Sequence, residues 1–207
     1  MRLRELGERR ILEEIIFKYL SNQELIDEDA VPIKLNDKYL VVNIDTFVKS
    51  TDAPEGMPYR SMGWKIVTMT LSDIIAKGAT PTVFLCSISA PADMDSGDLE
   101  EVVSGIANAC KYYECEYLGG DLGGARELII TGIGIGEARR FIRRGGAKVG
   151  DTVWVTGPFS RSAVALHFLL EHGKPIKNME KIINEYFQPK IRRELAIALT
   201  EVANACI

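Results

Sequence analysis

The spacing of apolar residues divides the chain into alternating helical and extended segments. In residues 8–20, Ile11, Leu12, Ile15, Ile16 and Tyr19 recur at three- and four-residue intervals, which predicts an amphipathic helix. Residues 21–38 are polar and turn-rich. Residues 39–48 (YLVVNIDTFV) are β-branched and aromatic and predict a strand. Two prolines and a glycine make 50–58 a loop. A long helix follows over about 60–77, with Gly78 as its stop, and then a strand over 82–89. Ser96 is placed to cap a helix running through Tyr113, with Leu99, Val102, Val103, Ile106 and Cys110 on one face. A short strand at 115–118 leads into GGDLGGA, and ELIITGIGI (127–135) predicts another strand. VGDTVWVTG reads as turn, strand, turn. A helix from Ser160 to about 172 is stopped by Gly173. The last helix starts near Pro189 and runs into the C-terminus without a stop signal, which implies packing partners supplied from elsewhere.

This alternation favours an α/β or α+β chain. The composition shifts at 138–148 (ARRFIRRGGAK), where five basic residues occur with no acid, and a domain boundary is placed there: residues 1–137 and 138–207. The first part is long enough for a compact core, whereas the second is thin for an independent one. With 207 residues, 46% hydrophobic and 26% charged, the chain is globular rather than disordered. A net charge of −4 argues against a nucleic-acid surface. No apolar run approaches the ~18 residues of a membrane helix, and the start MRLRELGERR has no apolar export segment. The expectation is a soluble, cytoplasmic protein with no membrane or nucleic-acid partner. Cys86, Cys110, Cys115 and Cys206 form no CxxC pair and read as small buried hydrophobes.

The acids are placed unusually. Asp27 and Asp29 lie in a turn-rich segment, Asp45 interrupts an apolar strand, Asp73 sits between Leu71 and Ile74 in a helix, and Asp121 lies between two glycine pairs. A carboxylate in apolar surroundings costs desolvation unless a positive group meets it. One reading gives each a backbone cap or a lysine partner. The other, favoured by several carboxylates without matching histidine or cysteine, is a hard cation, Mg²⁺ being the usual one beside phosphates. The glycines around Asp121 form either a tight turn or a backbone cradle for phosphate. Arg139, Arg140, Arg143, Arg144 and Lys148 are either a solvated linker or donors to phosphate.

The stretches DEDAV (27–31), VNIDTFV (42–48), LSDIIAKGATP (71–81), YLGGD (117–121), RGGAKVGDTVWVTG (144–157) and QPKIRR (188–193), in this order, resemble thiamine-monophosphate kinase, a member of the superfamily that includes aminoimidazole ribonucleotide synthetase. STDAPEGM (50–57) looks like archaeal-type relatives. The resemblance implies an α+β fold: a mixed sheet with helices on one face, followed by a partial, C-terminally truncated second domain. It also implies direct in-line transfer of the γ-phosphoryl of ATP to thiamine monophosphate, giving thiamine diphosphate. Aspartates would hold Mg²⁺, and no side chain would act as a covalent catalyst. By motif, Asp27, Asp29, Asp45, Asp73 and Asp121 would be metal ligands. Gly119, Gly120, Asp121 and Arg144 would face the nucleotide, and Asp52 stands where many members place a substrate-contacting histidine. Asn43 and Ile44 stand where many have hydroxyl residues. A homodimer through the N-terminal domain is implied as well.

Two alternatives stand beside this reading. One is a non-catalytic dimeric or nucleotide-binding remnant lacking most of the second domain. The other is a different kinase or synthetase of the same superfamily; a selenophosphate synthetase, however, calls for a reactive N-terminal cysteine, and residues 1–30 contain none.

Overall fold

The computed structural model describes residues 2–172 and 179–207. Its centre is one sheet of five strands: β1 (Val31–Leu35), β2 (Lys38–Val48), β3 (Thr80–Ala90), β4 (Glu116–Gly124) and β5 (Ile129–Ala138), in the order β1–β2–β5–β3–β4. The β3–β4 pair is parallel and the other neighbours are antiparallel, so the sheet is mixed, as the α+β expectation requires. Asn36, in the left-handed region at φ 55°, turns β1 back into β2.

Helices α1 (Leu3–Leu6), α2 (Glu8–Ile11) and α3 (Lys49–Asp52) are single turns, whereas α4 (Tyr59–Ala76) and α5 (Ser96–Tyr113) are long and cover one face of the sheet. What sets α4 against the sheet is a stripe of glycines on β5. Gly132, Gly134 and Gly136 alternate on the helix-facing side. A Cβ on Gly132 would lie 2.5 Å from Thr70 Oγ1 and 2.9 Å from the Phe84 ring; on Gly134 it would lie 2.6 Å from Ile74 Cδ1. Gly63 of α4 and Gly105 of α5 make a second close approach, since a Cβ on either would overlap a backbone carbonyl of the other helix. Between these layers Phe47, Ile66, Leu71, Phe84 and Ile106 are wholly excluded from water.

Beyond β5 lie α6 (Arg161–His172), α7 (Glu180–Phe187) and α8 (Arg193–Val202). The segment between α7 and α8 is pinned through the Pro189 carbonyl, which accepts from Trp64 Nε1 (2.7 Å) and Thr68 Oγ1 (3.2 Å). Arg140 gathers the free carbonyls that end α8, donating to Thr200, Glu201 and Ala203.

The predicted β2, β3, β5, α4 and α5 are present, with boundaries within a few residues. Gly78, at φ 83°, ends α4, and Asp95 rather than Ser96 caps α5, its carboxylate accepting from Gly97 N at 2.7 Å. The predicted helix over 8–20 is built of α2, a π-helical turn (Leu12–Ile16) and a 3-10 turn (Phe17–Tyr19), and its apolar residues Ile15, Ile16 and Tyr19 remain exposed. The segment 21–38, expected to be turn-rich, contains β1, in which Val31, Ile33 and Leu35 are interleaved with Pro32 and Lys34. GGDLGG (119–124) belongs to strand β4 rather than to a loop after it, and only Ala125 of that stretch lies beyond the strand. VGDTVWVTG forms no strand; Val153 and Trp154 are exposed, because no neighbouring strand among the described residues offers them a ladder. The last helix starts at Arg193, four residues after Pro189, and ends at Val202, so Cys206 lies in a non-helical tail. The stop assigned to Gly173 falls outside the described residues. Cys86, Cys110 and Cys115 are buried. No helix of the described residues is long and apolar enough to cross a membrane.

Gly132→Ala should lower stability by about 1–3 kcal/mol in urea denaturation, by overpacking against Thr70 and Phe84. Gly145→Ala, with nothing within 4 Å of its Cβ, should change it by less than about 0.5 kcal/mol.

Candidate metal and phosphate site

The close seat of α4 brings its last turns over β2. Asp73 near the end of α4 and Asp45 on β2 meet there, each half-buried. Asn43, buried beneath them, donates from Nδ2 to Asp73 Oδ2 (2.9 Å) and to the Thr70 carbonyl (3.2 Å). Burial pushes the Asp73 carboxyl above the usual carboxylate range, and the negative charges of Asp29 and Asp45 push it further. Asp45 is raised as well, by burial and then by the charge of Asp52, although the Thr46 N–H donates to it at 3.0 Å. Asp29 and Asp45 therefore lie near enough for their charges to be felt at Asp73.

The third member arrives on the turn 27–29. Asp27 is in the left-handed region at φ 72°, so the three acids of the turn splay. Asp27 points outward and lies 3.9 Å from Arg144 Nη1. Glu28 turns inward; its oxygens meet Lys77 Nζ (3.1 Å) and Arg143 Nε (3.3 Å) and accept from the Arg144 N–H (3.0 Å). Asp29 is held by Lys77 Nζ (3.3 Å) through one oxygen and by Arg144 Nη1 (3.2 Å) through the other. Ile26, Asp27, Glu28, Arg143, Arg144 and Gly145 line a shallow pocket of about 450 Å³. Glu28 and Lys77 were not singled out in the sequence. The available signal was a lysine between Ile75 and Ala79, in a helix end that is otherwise apolar.

Asp121 is placed differently. Gly119, at φ 97°, is an extra residue in β4 where the register to β3 shifts between Phe84 and Cys86. Gly120 pairs with Cys86 so closely that a Cβ there would overlap the Cys86 carbonyl oxygen. One inserted residue reverses the parity of everything after it. Tyr117 faces the helices with Phe84, but Asp121 pairs with Ser87 and shares the open face of the sheet with Thr131 and Thr46. Asp45, by contrast, faces α4 three strand spacings away, roughly 14 Å. The structure thus brings Asp29, Asp45 and Asp73 together and leaves Asp121 on the opposite side. Asp52 closes the α3 turn, its carboxylate accepting from Val48 N at 2.7 Å, and its carbonyl accepts from Lys65 Nζ at 3.1 Å.

Among the described residues no three carboxylate, histidine or cysteine groups gather closely enough to hold an ion by themselves. The donor set near Asp45 is nevertheless all oxygen. Mg²⁺ needs only one or two carboxylates, its remaining ligands being waters and phosphates, so the chemistry of these residues fits it.

Residues 27–138 match the family AIR synthase related protein, N-terminal domain, and the chain belongs to that family. Within it, the homologues are thiamine-monophosphate kinases. That of Aquifex aeolicus is 29% identical over 206 residues, 99% of this chain and 67% of its own length. That of Pyrococcus horikoshii is 38% identical over 183 residues, covering 88% of this chain and 58% of the relative. The solved structure of AaThiL complexed with AMPPCP and TMP superposes with a TM-score of 0.92 at 30% identity, over 99% of this chain and 66% of that one. The chain thus spans about three-fifths to two-thirds of the relatives it matches.

A raised carboxylate pKa means that the folded state resists ionisation. Its stabilising contribution is full below the ordinary carboxylate pKa and is lost as pH rises through the raised folded value. Asp73→Asn should therefore raise Tm at pH 7 in the presence of a chelator, with the gain disappearing near about pH 4. Thermal melts across that range check it.

Proposed function

We propose that the chain is the nucleotide- and cation-binding part of an ATP-dependent kinase that phosphorylates thiamine monophosphate to thiamine diphosphate. The observation that carries this reading is the superposition, over almost the whole chain, on a homologue complexed with AMPPCP and TMP. The acidic set supports it. Two anionic substrates repel each other, and a site for joining them must supply positive charge at fixed positions. Asp29, Asp45 and Asp73, with Asp27 at the rim, would hold Mg²⁺. When bound, it would neutralise phosphate oxygens and polarise the transferred group.

The chain's own residues do the rest. Arg144 offers its guanidinium to nucleotide phosphate, and Arg143 stays on Glu28. Gly119 and Gly120 leave the β4 backbone free of side chains beside Asp121, so that strand would meet the nucleotide from the open face, apart from the cation at Asp45 and Asp73. Asp52, at the rim of the α4 side, is the substrate-facing position. No histidine or cysteine stands among these groups, and with the aspartates given to the cation the phosphoryl would pass in line from ATP to the acceptor phosphate, with no phosphorylated protein between.

The domain division at residue 138 belongs to the same reading: residues 1–137 carry the sheet and the acidic site, and 138–207 a part of the second domain. So does the homodimer. Val31, Ile33, Leu35 and Ile44 lie exposed on the open face, in register with Leu40 and Val42. An apolar sheet face of this extent is stabilised by a second copy laid against it.

Incubated with ATP, Mg²⁺ and thiamine monophosphate, the chain should form thiamine diphosphate, measured chromatographically. Asp45→Asn should reduce the rate by at least about 100-fold without loss of the fold. A folded chain that binds neither ATP nor thiamine monophosphate, or one that accumulates phosphoprotein, overturns the reading. For the dimer, Ile44→Glu should convert a dimeric species to monomer in sedimentation velocity.

A further inference from the structure

Lys77 is the one lysine that the structure places wholly out of water among the described residues. Its Nζ carries three N–H donors, and three oxygens surround it: Glu28 Oε2 at 3.1 Å, Asp29 Oδ2 at 3.3 Å and the Cys206 carbonyl at 3.1 Å. The backbone of the same residue is held at both ends. Its N–H donates to the Asp73 carbonyl (3.1 Å), and its carbonyl accepts from Ile142 N (3.0 Å). An ammonium paired with two carboxylates, hydrogen-bonded to the Cys206 carbonyl and without solvent contact, is held in one place. That position is measured from α4, the helix that also carries Asp73.

We infer that Lys77 is a positioning residue for the cation site: it fixes the turn 27–29 against α4 so that Asp29 is presented toward Asp73 and Asp45. The inference rests on the proposed reading that these carboxylates bind a divalent ion. Asp29 uses one oxygen on Lys77 and the other on Arg144. The two partners differ in freedom. The Lys77 side chain is 0% exposed, that of Arg144 40%. A cation arriving at Asp29 can therefore displace Arg144 into solvent and toward phosphate, but it cannot displace Lys77. The buried lysine keeps the carboxylate in place while the exposed arginine gives way.

A counter-charge that only neutralised its surroundings would behave in the opposite sense. Removing it would leave more negative charge near the ion and tighten binding. A positioning group, when removed, loosens binding although a repelling charge has gone. The probe is Mn²⁺ alone, titrated calorimetrically into the unliganded chain, with folding followed by thermal melts. Lys77→Met should weaken Mn²⁺ binding by roughly tenfold or more. Unchanged or tighter binding by a folded Lys77→Met chain overturns the inference. Should that variant fail to fold, Lys77→Arg decides. It keeps the positive charge but not the position of the ammonium, so Mn²⁺ affinity should fall several-fold, and unchanged affinity overturns the inference. A merely structural lysine would shift Tm and leave the affinity of the folded variants alone. If the unaltered chain binds no Mn²⁺, the cation reading itself fails and this inference fails with it. If the unaltered chain binds and the variants match it, only the role of Lys77 falls.

Discussion

The approach of α4 to the glycine stripe of β5 is the constraint on which the remaining geometry depends. Glycines inside a strand weaken it, since they pack nothing and lose more chain entropy on folding. Here three of them alternate on one face, and the space where side chains would stand is filled by Thr70, Leu71 and Ile74 of α4. The helix sits lower on the sheet than a conventional layer would allow. Asp73 and Lys77, in the helix's last turn and at its end, are consequently carried down to the level of Asn43 and Asp45. Were β5 lined with valines, the helix would ride higher, and the carboxylate pair would part.

That constraint also accounts for the charge state of the resting molecule. Like charges are tolerated at short range because each is met by something positive or by a donor. Asn43 supplies a neutral donor to Asp73, while Lys77, Arg143 and Arg144 supply cations to Glu28 and Asp29. Asp45 and Asp73 receive no cationic partner among the described ion pairs, and they are the two whose ionisation is opposed most plainly by burial. An arrangement that neutralises one half of an acidic group and leaves the other half charged is poised for a cation rather than closed to it.

Much of the fold could be read from periodicity because its main elements are long and half-buried. β2, β3, α4 and α5 bury one face and show it. β1 was hidden by Pro32 and Lys34, and α7 by its shortness, although Ile182, Ile183, Tyr186 and Phe187 keep helical spacing. In the site, Asp45 and Asp73 stood out as charges in apolar runs, which is a local property. The distinct fates of Asp27, Glu28 and Asp29 are not local. Three adjacent acids look alike in sequence, and the backbone turn at Asp27 with the tertiary positions of Lys77, Arg143 and Arg144 decides which turns inward. Asp121 shows a different limit. Counted from Tyr117, simple alternation assigns it to the helix side, and the single inserted Gly119 sends it to the other.

The collar that Arg140 makes around the last carbonyls of α8 ties two distant stretches into one unit. The guanidinium extends from the residues that follow β5, while Cys206 N donates to the Arg143 carbonyl and Lys77 reaches the Cys206 carbonyl. Fraying of the tail therefore cannot proceed by itself, because it would uncover a buried ammonium and strip the helix end of its donors together. These shared contacts would couple opening of the tail to opening of the strand exit and of the acidic turn that Lys77 anchors.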